Sequence, residues 1–133
     1  MNILILMDMP LFPYRIYAYN ELSNRGYDLT VISVSDEDTR YDLPLKFEHI
    51  RLEKKAIGGF VKLEHFSQIE PNKYDVIVVD PNLRMLDYYQ FYRNKYWDKL
   101  IGWGHHKGCT TGNKLAEKFR FAFFEKIQGA GIL

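Results

Sequence analysis

This sequence has little cysteine, little net charge and no long apolar run. Each of these shortages excludes a class of protein. A single cysteine, Cys109, cannot form a disulfide within the chain. Eighteen lysines and arginines nearly balance seventeen aspartates and glutamates, so the basic excess typical of nucleic-acid-binding proteins is missing. Apolar runs fall well short of the roughly 20 residues that span a bilayer. We therefore expect no nucleic-acid partner and no membrane-spanning segment.

Glycine is also missing at the position where nucleotide-binding loops need it. A dinucleotide-binding fingerprint and a P-loop both use glycines to bring the backbone close to phosphate. Residues 8–13 contain two prolines and no glycine, and the chain has no Gly-Lys-Ser or Gly-Lys-Thr. The acidic residues of 35–44 lack the spacing and the central glycine of a calcium loop. We expect neither a bound cofactor nor a metal.

Two uninterrupted apolar stretches are the strongest structural signal. Residues 3–7 and 76–79 are apolar throughout, and each stretch is followed directly by an aspartate, Asp8 or Asp80. Such runs are typical of strands buried on both faces. We predict that they form adjacent central strands of a parallel sheet. Because ligands of open α/β sheets bind beyond the carboxyl ends of the strands, the turn after Asp8 should border a functional cleft.

Helical and strand periodicities alternate along the rest of the chain. They predict helices over residues 14–25, 60–69, 83–96 and 113–128, and strands over residues 29–34, 47–52 and 99–104. Within residues 83–96, an aromatic stripe of Met85, Tyr89, Tyr92 and Tyr96 is expected to face the core. The length of 133 residues suits one domain. We expect an α/β fold, a Rossmann-like three-layer sandwich with a parallel sheet.

Two histidines and a lysine follow the last predicted strand. His105, His106 and Lys107 lie between Gly104 and Gly108, which would let a ligand approach closely. Adjacent side chains on an extended segment point to opposite sides, which argues against a two-histidine metal site. Two interpretations stay open, a loop that contacts a ligand and a solvated surface loop.

The chain resembles, over its whole length, the amino-terminal domain of GT-B-fold glycosyltransferases, particularly those of family 4 that build bacterial capsule and other surface polysaccharides. The resemblance is carried by residues 2–7, 20–34 and 74–80, and most specifically by Ile101-Gly102-Trp103-Gly104-His105. Residues 114–127 are similar to the basic, aromatic helix that follows this segment in the family. The resemblance implies transfer of a sugar from a nucleotide-sugar donor to a polysaccharide or lipid-linked glycan.

The resemblance also implies roles for individual residues. His105 matches the family's cleft histidine, which faces the transferred sugar, and is the expected catalytic residue. The implied substrate-binding positions are Asp8, Pro10, Phe12, Tyr14, Asp80, Asn82, His106 and Lys107. Pro10 and Pro13 stand where many members have glycine, which favours acceptor binding over phosphate binding for this loop.

A GT-B enzyme has two such domains, and its nucleotide-binding residues lie mainly in the second. We interpret residues 1–133 as a truncated, acceptor-side domain that is inactive without the carboxy-terminal domain. The implied partners are that domain, the nucleotide-sugar and the glycan acceptor. A homodimer through the exposed interdomain surface is also expected. The expected location is the cytoplasm, with peripheral contact at the inner face of the plasma membrane.

Two other classes are alternatives. A receiver-type signalling domain also has an aspartate after a central strand, as Asp80 is here, although residues 7–9 lack a second acidic residue and no lysine ends the last strand. A stand-alone membrane-surface module is the other alternative, because Phe121 and Phe124 fall outside the apolar face of the last predicted helix among basic residues.

In the complete enzyme, His105→Ala should lower kcat/KM by roughly 10²-fold, about 2.7 kcal/mol of transition-state binding, because a neutral imidazole that positions a sugar hydroxyl would be lost. The thermal midpoint should hardly change. His106→Ala is the control and should have a much smaller effect. Equal, small losses of initial rate in both variants would make the pair ordinary surface histidines.

Overall fold

Five parallel strands form the main sheet of the protein. The computed structural model describes residues 1–34, 42–80, 82, 84–92, 96 and 98–103. The strands of the main sheet, in chain order, are β1 (Asn2–Leu6), β2 (Asp28–Val34), β3 (Glu48–Leu52), β6 (Val76–Val79) and β7 (Leu100–Gly102). Their spatial order is β3-β2-β1-β6-β7. The chain therefore starts in the middle of the sheet and builds outwards to both sides, an α/β arrangement.

Strand β1 is buried on both of its faces. Ile5 and Met7 belong to the apolar cluster on the first face of the sheet, and Leu4 and Leu6 belong to the cluster on the second face. All four side chains are at most 4% exposed. β1 pairs in parallel with β2 and with β6. The prediction that the two apolar stretches form adjacent central strands is confirmed.

One helix, α1 (Pro13–Asn24), covers the first face. A proline at the first helical position is favourable, because its missing N–H has no partner in a helix anyway. Ile16 and Tyr19 are buried against the sheet. The helix ends before Gly26, whose φ of +90° suits glycine. The helix predicted over residues 14–25 is confirmed.

The second face is covered by a 3₁₀ helix, Leu86–Tyr92. Tyr88 and Phe91 are fully buried there, whereas Tyr89 is 38% exposed. The predicted stripe is therefore wrong at Tyr89, whereas Met85 is buried and Tyr96 packs against the core as predicted. A 3₁₀ helix has three residues per turn, so residues three apart, not residues three and four apart, line up on one side. Met85, Tyr88 and Phe91 follow that period and face the core.

The helix predicted over residues 60–69 is also wrong. Strands β4 (Lys54–Ile57) and β5 (Phe60–Leu63) pair antiparallel as a hairpin outside the main sheet. A second 3₁₀ helix follows at Phe66–Gln68, and a third lies at Pro71–Lys73. Gly58 and Gly59, which connect β4 to β5, are the two-residue turn typical of a hairpin, and Gly58 has a φ of +59°. The spacing of three that suggested a helix does not mark one face of the hairpin, because side chains alternate along a strand: Phe60 is 46% exposed and Leu63 is 2% exposed.

The other strand predictions are confirmed. Residues 29–34 lie in β2, residues 47–52 overlap the edge strand β3, and residues 99–104 contain β7. The predicted helix of residues 113–128 and the loop of His105, His106 and Lys107 lie outside the described residues. Within the described part of the chain, no helix has the length and apolar character needed to cross a membrane.

Tyr88→Phe is expected to lower the free energy of unfolding by about 1 to 2 kcal/mol, because a buried carbonyl would lose its donor. The Tyr88 hydroxyl donates to the backbone oxygen of Met7 at 2.6 Å and so connects the 3₁₀ helix to the end of β1. Urea denaturation measures the change. Tyr17→Phe is the control, since the side chain of Tyr17 is 65% exposed. Equal stability of the Tyr88 variant and the wild type would contradict this role.

Candidate functional site

The carboxyl ends of β1, β6 and β7 meet at one edge of the main sheet, here called the carboxyl edge. Asp8 follows β1 after Met7, Asp80 follows β6 directly, and Trp103 follows β7. The backbone N–H of Asp80 donates to the carbonyl oxygen of Leu6 at 3.2 Å, and the backbone N–H of Trp103 donates to the carbonyl oxygen of Val79 at 2.9 Å. The sheet thus holds the backbone of both Asp80 and Trp103 in fixed positions.

Asn82 connects the two aspartates of this edge. Its side-chain amide donates to Oδ2 of Asp8 at 2.6 Å, and its backbone N–H donates to the carbonyl of Asp80 at 2.7 Å. Its side-chain oxygen accepts a hydrogen bond from the backbone N–H of Arg84 at 3.0 Å. The amide of Asn82 is therefore oriented at both ends, and it fixes one oxygen of Asp8.

Asp8 and Asp80 form a carboxyl pair. Burial of Asp80 and the negative charge of Asp8 raise the pKa of Asp80 to about 7, and a hydrogen bond between the two carboxyl groups adds to the rise. Oδ1 of Asp8 is buried and has no donor among the described residues. Two carboxylates cannot donate to each other, so the bond between them requires a proton on one. Near neutral pH, the pair therefore carries one proton for part of the time.

The guanidinium of Arg15 is the nearby positive charge. It acts against the rise in the pKa of Asp80, but the effect of burial and of Asp8 is larger. Its central carbon lies 5.1 Å from the ring centre of Trp103 and 5.9 Å from that of Tyr14. Its Nε donates to the Tyr14 hydroxyl at 3.3 Å. Arg15 thus links the carboxyl pair to the aromatic residues of the edge.

Three exposed aromatic side chains form what we call the aromatic cradle: Phe12, Tyr14 and Trp103. Their exposed fractions are 39%, 66% and 52%. Phe12 and Tyr14 are nearly parallel, with an interplanar angle of 8° and ring centres 6.0 Å apart. Large aromatic rings normally bury most of their surface, whereas these three rings expose theirs to solvent at the carboxyl edge. The cradle is suited to a ligand that has a flat apolar face.

The structure brings together most of the site residues that it describes. Asp8, Asp80 and Asn82 are connected by the contacts above. Phe12 and Tyr14 stack on each other, and Arg15 connects Tyr14 to the carboxyl pair. Pro10 lies in the turn between β1 and α1 and is partly buried. His105, His106 and Lys107 lie outside the described residues.

Sequence reasoning missed Arg15. The available signal was its position in the first turn of the helix after the first strand, where side chains reach the carboxyl edge. No group of three or more His, Cys, Asp or Glu side chains in the described part of the chain is arranged to hold a metal ion.

No protein-family model matches the chain, and comparisons with curated proteins and with solved structures also find no match. The function of the chain is therefore inferred from the geometry of the carboxyl edge.

Asp80→Asn should stabilise the protein increasingly as the pH rises from 5 to 8. A carboxyl group whose folded pKa is raised from 3.8 to about 7 contributes stability that is complete at low pH and is lost as the pH rises to about 7. The Asn side chain of the variant is neutral at every pH, so the variant does not lose this stability as the pH rises. We expect the difference in unfolding free energy between variant and wild type to widen by about 1 to 2 kcal/mol, because water screens part of the effect at this partly exposed side chain.

Urea titrations at pH 5, 6.5 and 8, spanning the pKa of Asp80, measure this difference. Asp28→Asn, at the exposed start of β2, is the matched control. If the Asp80 variant ran parallel to the wild type, the carboxyl pair would share no proton.

Proposed function

We propose that the chain is the amino-terminal, acceptor-side part of a GT-B glycosyltransferase, which moves a sugar from a nucleotide-sugar to a polysaccharide or lipid-linked glycan. The observation that supports this most is the combination of aromatic cradle and carboxyl pair at the carboxyl edge. In this proposal the sheet is the middle layer of a three-layer sandwich. A carboxy-terminal domain supplies the donor site, and the enzyme works at the cytoplasmic face of the membrane.

The cradle is the proposed acceptor platform. A pyranose ring has a face of C–H groups that packs against an aromatic ring, while its hydroxyls point sideways to polar groups. The guanidinium of Arg15 lies within 6 Å of the ring centres of both Tyr14 and Trp103. A sugar on these rings would have Arg15 available as a hydrogen-bond donor.

Asp80 is the proposed proton acceptor of the reaction. As the acceptor hydroxyl attacks the anomeric carbon, its proton passes to the Asp80 carboxylate, the new C–O bond forms, and the bond to the departing nucleoside diphosphate breaks with its electron pair. A base works best when its pKa lies near the working pH, and the pKa of Asp80 is raised to about 7. His105 keeps the positioning role that the resemblance implies.

A second candidate, the receiver-like signalling domain, gains one supporting observation. The sequence shows a single acidic residue after the first strand, but folding brings Asp8 beside Asp80 and so provides two carboxyl groups at the end of central strands. The lysine that phosphotransfer requires would have to follow the last strand, where Gly102 and Trp103 stand. Incubation with phosphoramidate and Mg²⁺, followed by mass spectrometry, tests this candidate, because a phosphoryl group on Asp80 would favour it over the transferase.

Trp103→Ala should weaken glycan binding about fivefold to tenfold, since roughly 1 kcal/mol of stacking would be lost. A glycan array first identifies an oligosaccharide that binds the chain, and calorimetric titration then gives the affinity. The substitution should leave the thermal midpoint nearly unchanged, because half of this side chain is in solvent.

Tyr17→Ala is the matched control for that titration, since it removes another exposed ring, 65% accessible, from the same helix as Tyr14. It should not affect the affinity. Absence of any glycan ligand, or equal losses for Trp103 and Tyr17, would contradict an acceptor platform at the cradle.

A further inference from the structure

The β4–β5 hairpin is fixed against the chain segment that follows Asn82. The backbone N–H of Val61 donates to the carbonyl of Arg84 at 2.7 Å, and Nε of Arg84 donates to the carbonyl of Gly59 at 2.9 Å. Further along, the N–H of Leu63 donates to Asp87 at 2.6 Å. These contacts hold the hairpin beside the carboxyl edge, although it pairs with no strand of the main sheet.

A polar pocket of about 410 Å³ lies between the hairpin and the edge. Asp8 and Asn82 line it from the edge, Lys54 and Val61 line it from the hairpin, and Arg84 lines it from the segment between them. Its volume is within the range of small-molecule sites, about 300 to 1,000 Å³. Asp8 and Asn82 are among the substrate-binding positions that the resemblance implies, whereas Lys54, Val61 and Arg84 are not.

Arg84 is arranged to bind an anion. Its Nε donates a hydrogen bond to the carbonyl oxygen of Gly59, and this bond orients the plane of the guanidinium. Among the described residues, the Arg84 side chain forms no ion pair. The terminal nitrogens of a fixed guanidinium offer parallel donors that match the oxygens of a carboxylate or phosphate. Lys54 adds a second positive charge to the same pocket.

The groups from the sheet edge suit hydroxyls instead. The Asn82 amide carries two N–H groups and Oδ2 of Asp8 carries two lone pairs, and the hydrogen bond between the two side chains uses one of each. The remaining N–H and lone pair suit a hydroxyl group, which both accepts and donates. The negative charge of Asp8 would also repel a small free anion, so the pocket favours a ligand whose anionic group is separate from its hydroxyls.

We propose that this pocket binds a sugar that carries an anionic substituent, a carboxylate or a phosphate, with the substituent on Arg84 and the hydroxyls on Asp8 and Asn82. The inference deepens the proposed function and rests on it, because it assigns an acidic sugar unit of the acceptor to a position next to the carboxyl pair. Recognition of the charge would then select acidic glycans over neutral ones.

Calorimetric titration of the chain with four probes tests the proposal: methyl glucuronoside, glucose 1-phosphate, methyl glucoside and inorganic phosphate. Both anionic sugars should bind at least about tenfold tighter than methyl glucoside, a difference of about 1.4 kcal/mol. The tighter of the two identifies carboxylate or phosphate as the substituent. Arg84→Gln should abolish the preference, and Lys54→Gln should reduce it without touching the Gly59 contact.

Arg25→Gln is the matched control, because Arg25 is an exposed arginine whose ion pair with Glu21 lies at the other end of α1. It should leave all four affinities unchanged. Equal affinities for the charged and neutral sugars would overturn the proposal, as would inorganic phosphate binding as tightly as glucose 1-phosphate. If neutral oligosaccharides bind in a Trp103-dependent way but anionic sugars are not preferred over neutral ones, only the pocket proposal is overturned. If neither the Trp103-dependent binding nor the preference for anionic sugars is found, the proposed function is overturned too.

Discussion

Burial of β1 on both faces is the constraint on which the rest of the fold depends. Each of Leu4, Ile5, Leu6 and Met7 is at most 4% exposed, and burying a side chain of this size contributes about 1.5 to 3 kcal/mol. That gain requires a cover on each face and a strand on each side. Helix α1, the 3₁₀ helix Leu86–Tyr92 and strands β2 and β6 meet the requirement. Because β1 and β6 are parallel neighbours, Asp8 and Asp80 must end up at the same edge.

The carboxyl pair shows which electrostatic effect dominates there. Arg15 favours the charged form of Asp80, while burial and the charge of Asp8 favour the neutral form, and the net result is a raised pKa. Folding therefore keeps two acids together against their mutual repulsion. The Asn82 amide donates a hydrogen bond to Oδ2 of Asp8 and so holds that side chain in place beside Asp80. Perturbed carboxyl groups of this kind are common at functional sites, which is why the proposal centres on them.

The sequence predicted best where one physical effect decides the structure. The runs of residues 3–7 and 76–79 admit only a doubly buried strand, and their pairing was predicted correctly, as was α1. Prediction failed where spacing alone suggested a helix. Phe60, Leu63 and Phe66 have a helical spacing of three, but Phe60 is exposed while Leu63 and Phe66 are buried, and the Gly58-Gly59 turn favours the hairpin. Likewise, Tyr88 and Tyr89 exchange places between core and surface when the helical period changes from 3.6 to 3.

Of the site, Asp8, Asp80 and Asn82 were predictable from strand ends. The partnership of Arg15 with Trp103 was not, because it joins residues far apart in the chain.

The hairpin differs from the other elements in how it can change over time. It forms part of the wall of the polar pocket, yet it is joined to the main body through short segments and a few backbone hydrogen bonds instead of the strand ladder. A Cβ added at Gly59 would meet no atom within 4 Å, whereas the φ of +59° at Gly58 favours glycine. Substitutions or added residues at this tip would alter the pocket while the sheet keeps its stability. Ligand preference could thus diverge between related chains faster than their folds do, with the hairpin as the variable part and β1 as the invariant one.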